Sequence, residues 1–371
     1  MRTGFTTGSC AAAASKAAAV MLLGGIRKEE IRIDTPAGVS YRADVEDISV
    51  SETAVSCAVR KDAGDDPDVT NGILIYSKVS FASGDLKAAE IRIRGGSGVG
   101  RVTRPGLDQE AGCAAINSVP RKMIEKEVRE VMDFFGCRRT LDVEISVPGG
   151  EALARKTFNP RLGIEGGISI IGTTGIVEPM SAKALLETIR IEIAQKKAMG
   201  AEVLVMSPGN YGLSFMKDHY GYDLDAAVKC SNYIGESIDM AADAGFKKLL
   251  LCGHIGKLIK VSGGIMNTHS READARMELM AAAAIRCGAS GEILKAVLGA
   301  ASTEEACGIF FSEGIERACF DSVMERIHFY LNHRAGGRPE AECIMYSNRY
   351  GLLGTTPRAE AFLREAMVDA K

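Results

Sequence analysis

Apolar positions along the chain follow two rhythms. Up to roughly residue 160 they come in short runs of period two, at Ile31–Asp34, Tyr41–Val45, Ala54–Val59, Ile73–Phe81 and Glu90–Arg94. That is the spacing of half-buried strands. A helical period predicts one helix over Pro120–Phe135, with Met123, Ile124, Val128, Val131 and Met132 inward. A strand over Leu141–Val147 follows and stops at Pro148-Gly149-Gly150. Near the start, the alanine-rich stretch Cys10–Leu23 reads as an amphipathic soluble helix, with Thr7 or Ser9 as N-cap and Gly24-Gly25 as stop. Lys16 interrupts it, and its longest unbroken apolar run, Ala17–Leu23, is too short to span a bilayer. No membrane segment is expected there or elsewhere.

Beyond that point short continuous apolar runs alternate with helices and end in glycine loops. Ile168–Ile171 leads to Gly172-Thr173-Thr174-Gly175, Val203–Met206 to Ser207-Pro208-Gly209-Asn210, and Lys248–Cys252 to Gly253-His254-Ile255-Gly256. A fourth strand is expected at Cys343–Tyr346, and helices over Ser181–Met199 and His269–Cys287. Continuous apolar strands mark a sheet covered on both faces, hence a parallel one. The fold expected is α/β and α+β in two domains. Residues 1–160 form an α+β domain with acidic and glycine-rich loops, and residues 161–371 form a Rossmann-like α/β domain with a mainly parallel sheet. Ligands of such sheets bind beyond the carboxyl ends of the strands, where these glycine loops lie.

Composition narrows the function classes. A net charge of −3 excludes the basic surface of a general nucleic-acid binder, so any anion must be held by a local group of Arg and Lys. None of the ten cysteines pairs at the spacing of a zinc or redox site. They read as small buried hydrophobes of a reducing, cytoplasmic compartment. No protein-bound metal is expected.

Four loops carry candidate chemistry. The opening Thr3-Gly4-Phe5-Thr6-Thr7-Gly8-Ser9-Cys10 precedes a helix and offers amides and the Thr6 and Thr7 hydroxyls to an anion, or simply caps the helix. In Lys61–Asp68, Asp62, Asp65, Asp66 and Asp68 crowd together, and their repulsion needs a cation, backbone amides or solvent to relieve it. Gly95–Arg101 is the richest glycine loop, and Arg94, Arg101 and Arg104 suit carboxylates or phosphates. Arg101 stands where the dinucleotide fingerprint needs its third glycine. Gly253-His254-Ile255-Gly256-Lys257 fails as a phosphate loop, since Leu251 and Leu258 occupy the positions of the first glycine and the Ser or Thr. No nucleophile elbow and no zinc-protease helix is present.

Longer strings resemble one family. Arg2–Cys10 (RTGFTTGSC), Lys61–Gly72 (KDAGDDPDVTNG), Gly98–Leu107 (GVGRVTRPGL) and Thr157–Gly163 (TFNPRLG) are similar to segments of the CbiD family. So are Gly172–Ser181 (GTTGIVEPMS), Gly209–Leu213 (GNYGL), Lys229–Glu236 (KCSNYIGE), Gly253–Lys260 (GHIGKLIK) and Gly264–Arg276 (GIMNTHSREADAR). The order is right and the likeness runs nearly end to end. Ser9 stands where the family has threonine, and Asn71 where it commonly has histidine. Cys113 and Ser118 replace an acidic residue and a proline, which argues against Cys113 as a catalyst.

The resemblance implies a methyltransferase of the anaerobic cobalamin route. It would carry the methyl group of S-adenosylmethionine to C-1 of cobalt-precorrin-5B, giving cobalt-precorrin-6A, with cobalt brought by the substrate. The donor is then expected over Gly172, Thr173, Thr174, Gly175, Gly209, Asn210 and Gly253. The substrate carboxylates are expected on Arg94, Arg101, Arg104 and Arg161, with Thr6 and Thr7. Asp62, Asp65, Glu178 and His254 are the candidates for accepting a hydrogen bond or a proton. A kinase or dehydrogenase using the same loops for a nucleotide, and a non-catalytic corrinoid carrier, are the alternatives. Oligomeric state is left open, a homo-oligomer included.

Overall fold

The structure is a computed structural model that describes residues 2–83, 89–179, 182–209 and 213–369. It divides into two compact units, Met1–Ala182 and Lys183–Lys371, and the architecture is mixed α/β with sheets of mixed strand direction.

Unit 1 is built around the helix Thr7–Gly24. Alanine favours helix most strongly, the Thr6 hydroxyl accepts the Ser9 amide at the N-cap, and Gly25 at φ +67° closes the other end by donating to Met21 O. The helix is not amphipathic. Ala11–Ala14 and Ala17–Ala19 are fully buried, because it runs between a five-stranded sheet and the helix Ser118–Phe134. Small side chains all round let both neighbours approach closely. It is long and apolar enough to cross a membrane, yet 72% of it is covered by the fold.

Strands of the sheet lie in the order Glu46–Val50, Ala54–Arg60, Leu74–Phe81, Leu141–Ser146, Ile91–Gly95. All neighbours are antiparallel except the last pair. Alternation of buried and partly exposed residues along Leu141–Ser146 is the period-two pattern legible in the sequence. The strands Glu30–Asp34 and Ser40–Asp44 form a separate hairpin.

Lys16 sits in the otherwise apolar first helix and bonds Glu127 of the second at 2.5 Å, with Glu130 at 3.5 Å. The Glu127 side chain is 3% exposed, so this is a buried pair holding helix to helix.

The expected boundary at 160/161 moves to 182/183. The segment after residue 160 is stitched into unit 1: Ile164 pairs with Val102, Gly167 with Gly98, and Ile176 with Phe5. The run Ile168–Ile171 is therefore no strand of the second sheet; Ile168 pairs with Val99 and Ile170 bridges to Ile116.

Gly98 lies at the crossing of these segments. It has φ +71°, and a Cβ there would run into the Val147 carbonyl oxygen. Gly150 and Gly167 press on Gly98 from other chain segments. The glycine-rich loop is thus a junction of three backbones rather than an open cradle.

Unit 2 is an open sheet in the order Val228–Lys229, Val203–Ser207, Lys248–His254, Glu340–Ser347, Gly351–Thr355. The first three pairings are parallel and the last antiparallel. Leu204, Met206, Leu249, Leu251, Cys343 and Met345 face one layer of helices. Val203, Val205, Leu250, Cys252, Ile344 and Tyr346 face the other, against Met216 and Phe362. Burial on both faces is why these strands read as continuous apolar runs.

The helix expected from His269 begins only at Arg276. Before it, the buried Lys260 ammonium takes the Thr268 and Ala273 carbonyls at 3.1 and 2.7 Å, which holds that segment in turns.

Two outcomes are expected. Lys16→Met should cost about 3 kcal/mol in urea denaturation, because Glu127 is left buried beside only a looser lysine contact, and the added change Glu127→Leu should recover much of it. Gly98→Ala should lower the melting temperature markedly, since both its φ and its Cβ contact oppose a side chain; an unchanged melting curve would contradict the packing of that junction.

Candidate functional site

In unit 1 the motif-rich loops mostly bind one another. Thr6 and Thr7 are buried. The Thr7 hydroxyl accepts the Ile171 amide at 2.9 Å, Gly8 N donates to Ile171 O at 3.0 Å, and the Ser9 hydroxyl donates to Gly175 O at 2.6 Å. The Gly8, Ser9 and Cys10 amides of the first helical turn are therefore already bonded within the chain, which leaves little of the expected anion site at this helix end. Gly172 (φ +142°) faces Thr6 so closely that a Cβ would strike its hydroxyl oxygen, while the backbone of Thr174 accepts from Ala37 N at 3.0 Å. Gly172–Gly175 thus buttresses the first helix; Thr173 and Thr174 remain exposed.

The acidic loop finds its cations inside the protein. Arg2 forks onto Asp62, its backbone amide donates to Asp65 Oδ2 at 2.6 Å, and Lys61, 2% exposed, reaches Asp68 at 2.6 Å. The Arg2 guanidinium, helped by the Gly64 amide, holds the Asp62 carboxyl below the usual carboxylate range. Burial alone would raise Asp68, but Lys61 and the Thr70 hydroxyl and amide outweigh it. The anionic form of Asp62 is thereby favoured. Glu178 is exposed, just after the strand Ile176–Val177.

The four arginines are exposed. Arg94 lies on the edge strand of the sheet, 3.2 Å from Asp142 and 3.8 Å from Glu144. Arg101 bonds the Gly112 carbonyl and stands opposite Glu165 in register. The Arg104 side chain lies over Gly163, and Thr103 N donates to Gly163 O at 2.8 Å. Arg101 thus stands across from the strand Ile164–Glu165, and Arg104 packs on Gly163, two residues after Arg161. Alongside the glycine junction is a concavity of about 500 Å³ with Arg155 in its wall.

In unit 2 the chain leaves the strand Val203–Ser207 for the strand at one side, Val228–Lys229, and then returns to add Lys248–His254 on the other. The order reverses between Val203–Ser207 and Lys248–His254. Such a reversal splays the loops at the carboxyl ends and opens a ligand crevice there. Gly209, Gly253 and His254 belong to this place; Asn210 lies outside the described residues.

Two charged side chains tie the rim together. Lys257 donates to Pro208 O at 2.5 Å and to Ser231 O at 3.5 Å, and burial lowers its pKa. Glu304, in the first turn of the helix Thr303–Ser312, accepts from His254 Nε2 at 2.9 Å, from the Ser347 hydroxyl at 2.7 Å and from Asn348 N at 3.2 Å. Because His254 Nδ1 accepts the Gly256 amide at 3.0 Å, the ring proton belongs on Nε2, directed at Glu304. Both ring nitrogens are in use, so His254 is a cap and a strut here, not a poised base. Gly253 is a packing glycine: a Cβ there would lie 3.1 Å from Pro208 and Leu258 side-chain carbons.

Beside this rim opens a cavity of about 600 Å³ lined by Phe215, Asp218, His219, Ser347, Asn348 and Gly351. None of these residues, nor Lys257 or Glu304, was singled out from sequence. The strand expected at Cys343–Tyr346 carried the one usable signal, because residues following a parallel strand point to the binding edge.

Seven of the ten cysteines are buried and all are free thiols. Burial pushes Cys57 and Cys230 up to about 12, which keeps them protonated and inert. Among the described residues no group of three or more His, Cys, Asp or Glu is placed to hold a metal ion.

Comparison with known proteins agrees along almost the full length. The family model described as CbiD matches residues 1–179, and that described as CbiD, C-terminal domain, matches residues 267–357. A protein from Ruminiclostridium cellulolyticum named cobalt-precorrin-5B C(1)-methyltransferase is 50% identical, covering 94% of this chain and 89% of that one. One of the same name from Alkaliphilus metalliredigens is 47% identical, covering 98% and 94%. The 1.9 Å crystal structure of a cobalamin biosynthesis protein (CbiD) from Archaeoglobus fulgidus is 30% identical over 74% of this chain and 84% of that one, with a TM-score of 0.40. With both family models matched in order and relatives about half identical from end to end, the chain belongs to the CbiD family.

Proposed function

We propose that this protein methylates C-1 of cobalt-precorrin-5B, taking the methyl group from S-adenosylmethionine and giving cobalt-precorrin-6A in anaerobic cobalamin biosynthesis. The observation that carries this reading is the identity of 47–50% over nearly the whole chain with proteins named for that reaction. In the step, the bond from carbon to the sulfonium sulfur breaks as the bond to ring C-1 forms. The sulfur keeps the electron pair and leaves as S-adenosylhomocysteine. Such an in-line displacement depends chiefly on alignment. The macrocycle is electron-rich, so no strong base is needed, which suits a His254 engaged at both nitrogens. Of the other carboxylate candidates, Asp62 and Asp65 are held by Arg2, and Glu178 stays a surface candidate.

We read the two compact units as two domains and the second as Rossmann-like, a reading supported by its three parallel pairings, helices on both faces and strand-order reversal. The donor is assigned to the carboxyl edge of that sheet, near Gly209 and His254. The acetate and propionate groups of the acceptor are assigned to Arg101, Arg104 and Arg161, whose guanidinium geometry suits carboxylates. Cobalt belongs to the substrate. We place the enzyme in the cytoplasm, in keeping with ten free thiols.

Anaerobic incubation with cobalt-precorrin-5B and S-adenosylmethionine should add one methyl group at C-1 and release S-adenosylhomocysteine, followed by mass and absorption spectrum. Tetrapyrrole binding without turnover would replace this reading with a corrinoid carrier, and no binding would remove the substrate. Arg101→Ala and Arg104→Ala should each raise the acceptor KM about tenfold or more, the loss of a charge-assisted hydrogen bond, while the donor KM stays put. Unchanged acceptor KM in both variants would take the carboxylates away from these arginines.

A further inference from the structure

The cavity beside the switch point combines features of a nucleoside site. Phe215 and His219, one helical turn apart on Leu213–Tyr220, stack with centroids 5.1 Å apart and planes within 15°. Phe215 leans in turn on the fully buried ring of Tyr346 at 5.0 Å. This backs an aromatic wall of the cavity with the sheet itself. Asp218 stands between the two rings in sequence and is exposed at the cavity. The rest of the described lining is Ser347, the last residue of the strand Glu340–Ser347, Asn348 just beyond it, and Gly351. Ser347 is fixed from both sides: it donates to Glu304 and accepts the Arg349 and Tyr350 amides at 3.1 and 3.0 Å.

Charge separates the possible ligands. Among the described lining residues there is a carboxylate, Asp218, but no Lys or Arg, and the neighbouring Arg349 guanidinium lies over the Tyr350 ring at 5.4 Å. A nucleotide polyphosphate would meet Asp218 with no Lys or Arg among those described residues to offset its charge. A nucleoside joined to a sulfonium cation meets the matching sign. The volume, about 600 Å³, is within the range of small-molecule sites.

We propose that this cavity takes the adenosine part of the methyl donor, with the Phe215–His219 wall against the purine, Asp218 on the ribose hydroxyls and Asn348 at the base edge. The assignment rests on the methyltransferase reading above and deepens it. Carboxylates accept from both hydroxyls of a ribose, and an aromatic wall supplies a face for stacking. Glu304 is then a positioning residue: it touches no ligand but fixes Ser347, Asn348 and His254 along one rim.

Calorimetric titration of S-adenosylhomocysteine into the whole protein tests this, with ATP as the control ligand. Wild type should bind S-adenosylhomocysteine more tightly than ATP. Asp218→Asn, an exposed position that should fold normally by circular dichroism, should weaken the former about tenfold or more. Phe215→Leu should do the same, and Glu304→Gln should weaken binding less while leaving the acceptor KM unchanged. Unaltered S-adenosylhomocysteine affinity in Asp218→Asn, in an enzyme whose wild type turns over, overturns the cavity assignment and leaves the methyl transfer standing. A wild type that neither binds S-adenosylhomocysteine nor turns over the tetrapyrrole overturns both.

Discussion

The first ten residues are the constraint on which unit 1 depends. A wholly buried alanine helix has no polar face to tell the chain which way to place it, so its start must be fixed by other means. That is what the stitched N-terminus does. Arg2 is tied to Asp62 and Asp65, Phe5 N to Asp62 O, and Thr6, Thr7, Gly8 and Ser9 to the segment 171–175. The Arg2 contacts lie at the surface, whereas those of Thr6, Thr7, Gly8 and Ser9 satisfy groups that burial would otherwise leave costly. Once the helix is placed, the sheet and the helix Ser118–Phe134 can close on it, and Lys16 and Glu127 set their register.

This explains why so much of the conspicuous sequence in unit 1 is not chemistry. An acidic cluster and a threonine-glycine loop look like sites because they are rich in donors, acceptors and bare backbone. The same properties are what two chain segments need when they must bind each other without solvent. The aspartates meet Arg2 and Lys61, and the glycines meet carbonyls. Among the motif residues of that unit, the arginines that the sequence also offered stay exposed.

Much of the architecture could be read in advance. Six strands and the helix Ser118–Phe134 of unit 1 were legible from periods of two and 3.6, because each buries one face or stripe, while the first helix was legible from its alanine run between a cap and two glycines. Alternation could not reveal the strand Glu46–Val50, which is mostly exposed, nor the two-residue pairings at 98–102 and 164–177, too short to show a period. Those same pairings carry residues 161–182 into unit 1, so the boundary was misplaced with them. The apolar run Ile168–Ile171 followed by Gly172 imitated a parallel strand with its loop; its partners, Val99 and Ile116, are distant in sequence and only the fold supplies them. In the second unit the three strands of continuous apolar residues were plain, and so was the carboxyl edge where their loops gather. Gly209, Gly253 and His254 at that edge were named from sequence, but Glu304 and Ser347 were not, since they are ordinary residues made important by a helix start and a strand end that meet at the rim.

The two halves of the candidate chemistry differ in what they demand of the protein. Methyl transfer from a sulfonium needs no proton relay and no nucleophilic side chain; it needs the donor held still, because small errors of alignment raise the barrier steeply. A rim made of loose glycine loops would serve this badly. Here the loops after four parallel strands are instead cross-braced, one pair by the Lys257 ammonium on the Pro208 and Ser231 carbonyls and the other by the Glu304 carboxylate on His254, Ser347 and Asn348. Both braces come from the starts of helices that pack on the same sheet face, so they move with the core. A carboxylate in a first helical turn is stabilised by the helix dipole, and an ammonium among carbonyls is stabilised by theirs. Lys257 and Glu304 are thus committed to rigidity, and rigidity is what a reaction that must hold two reactants in line demands of its protein.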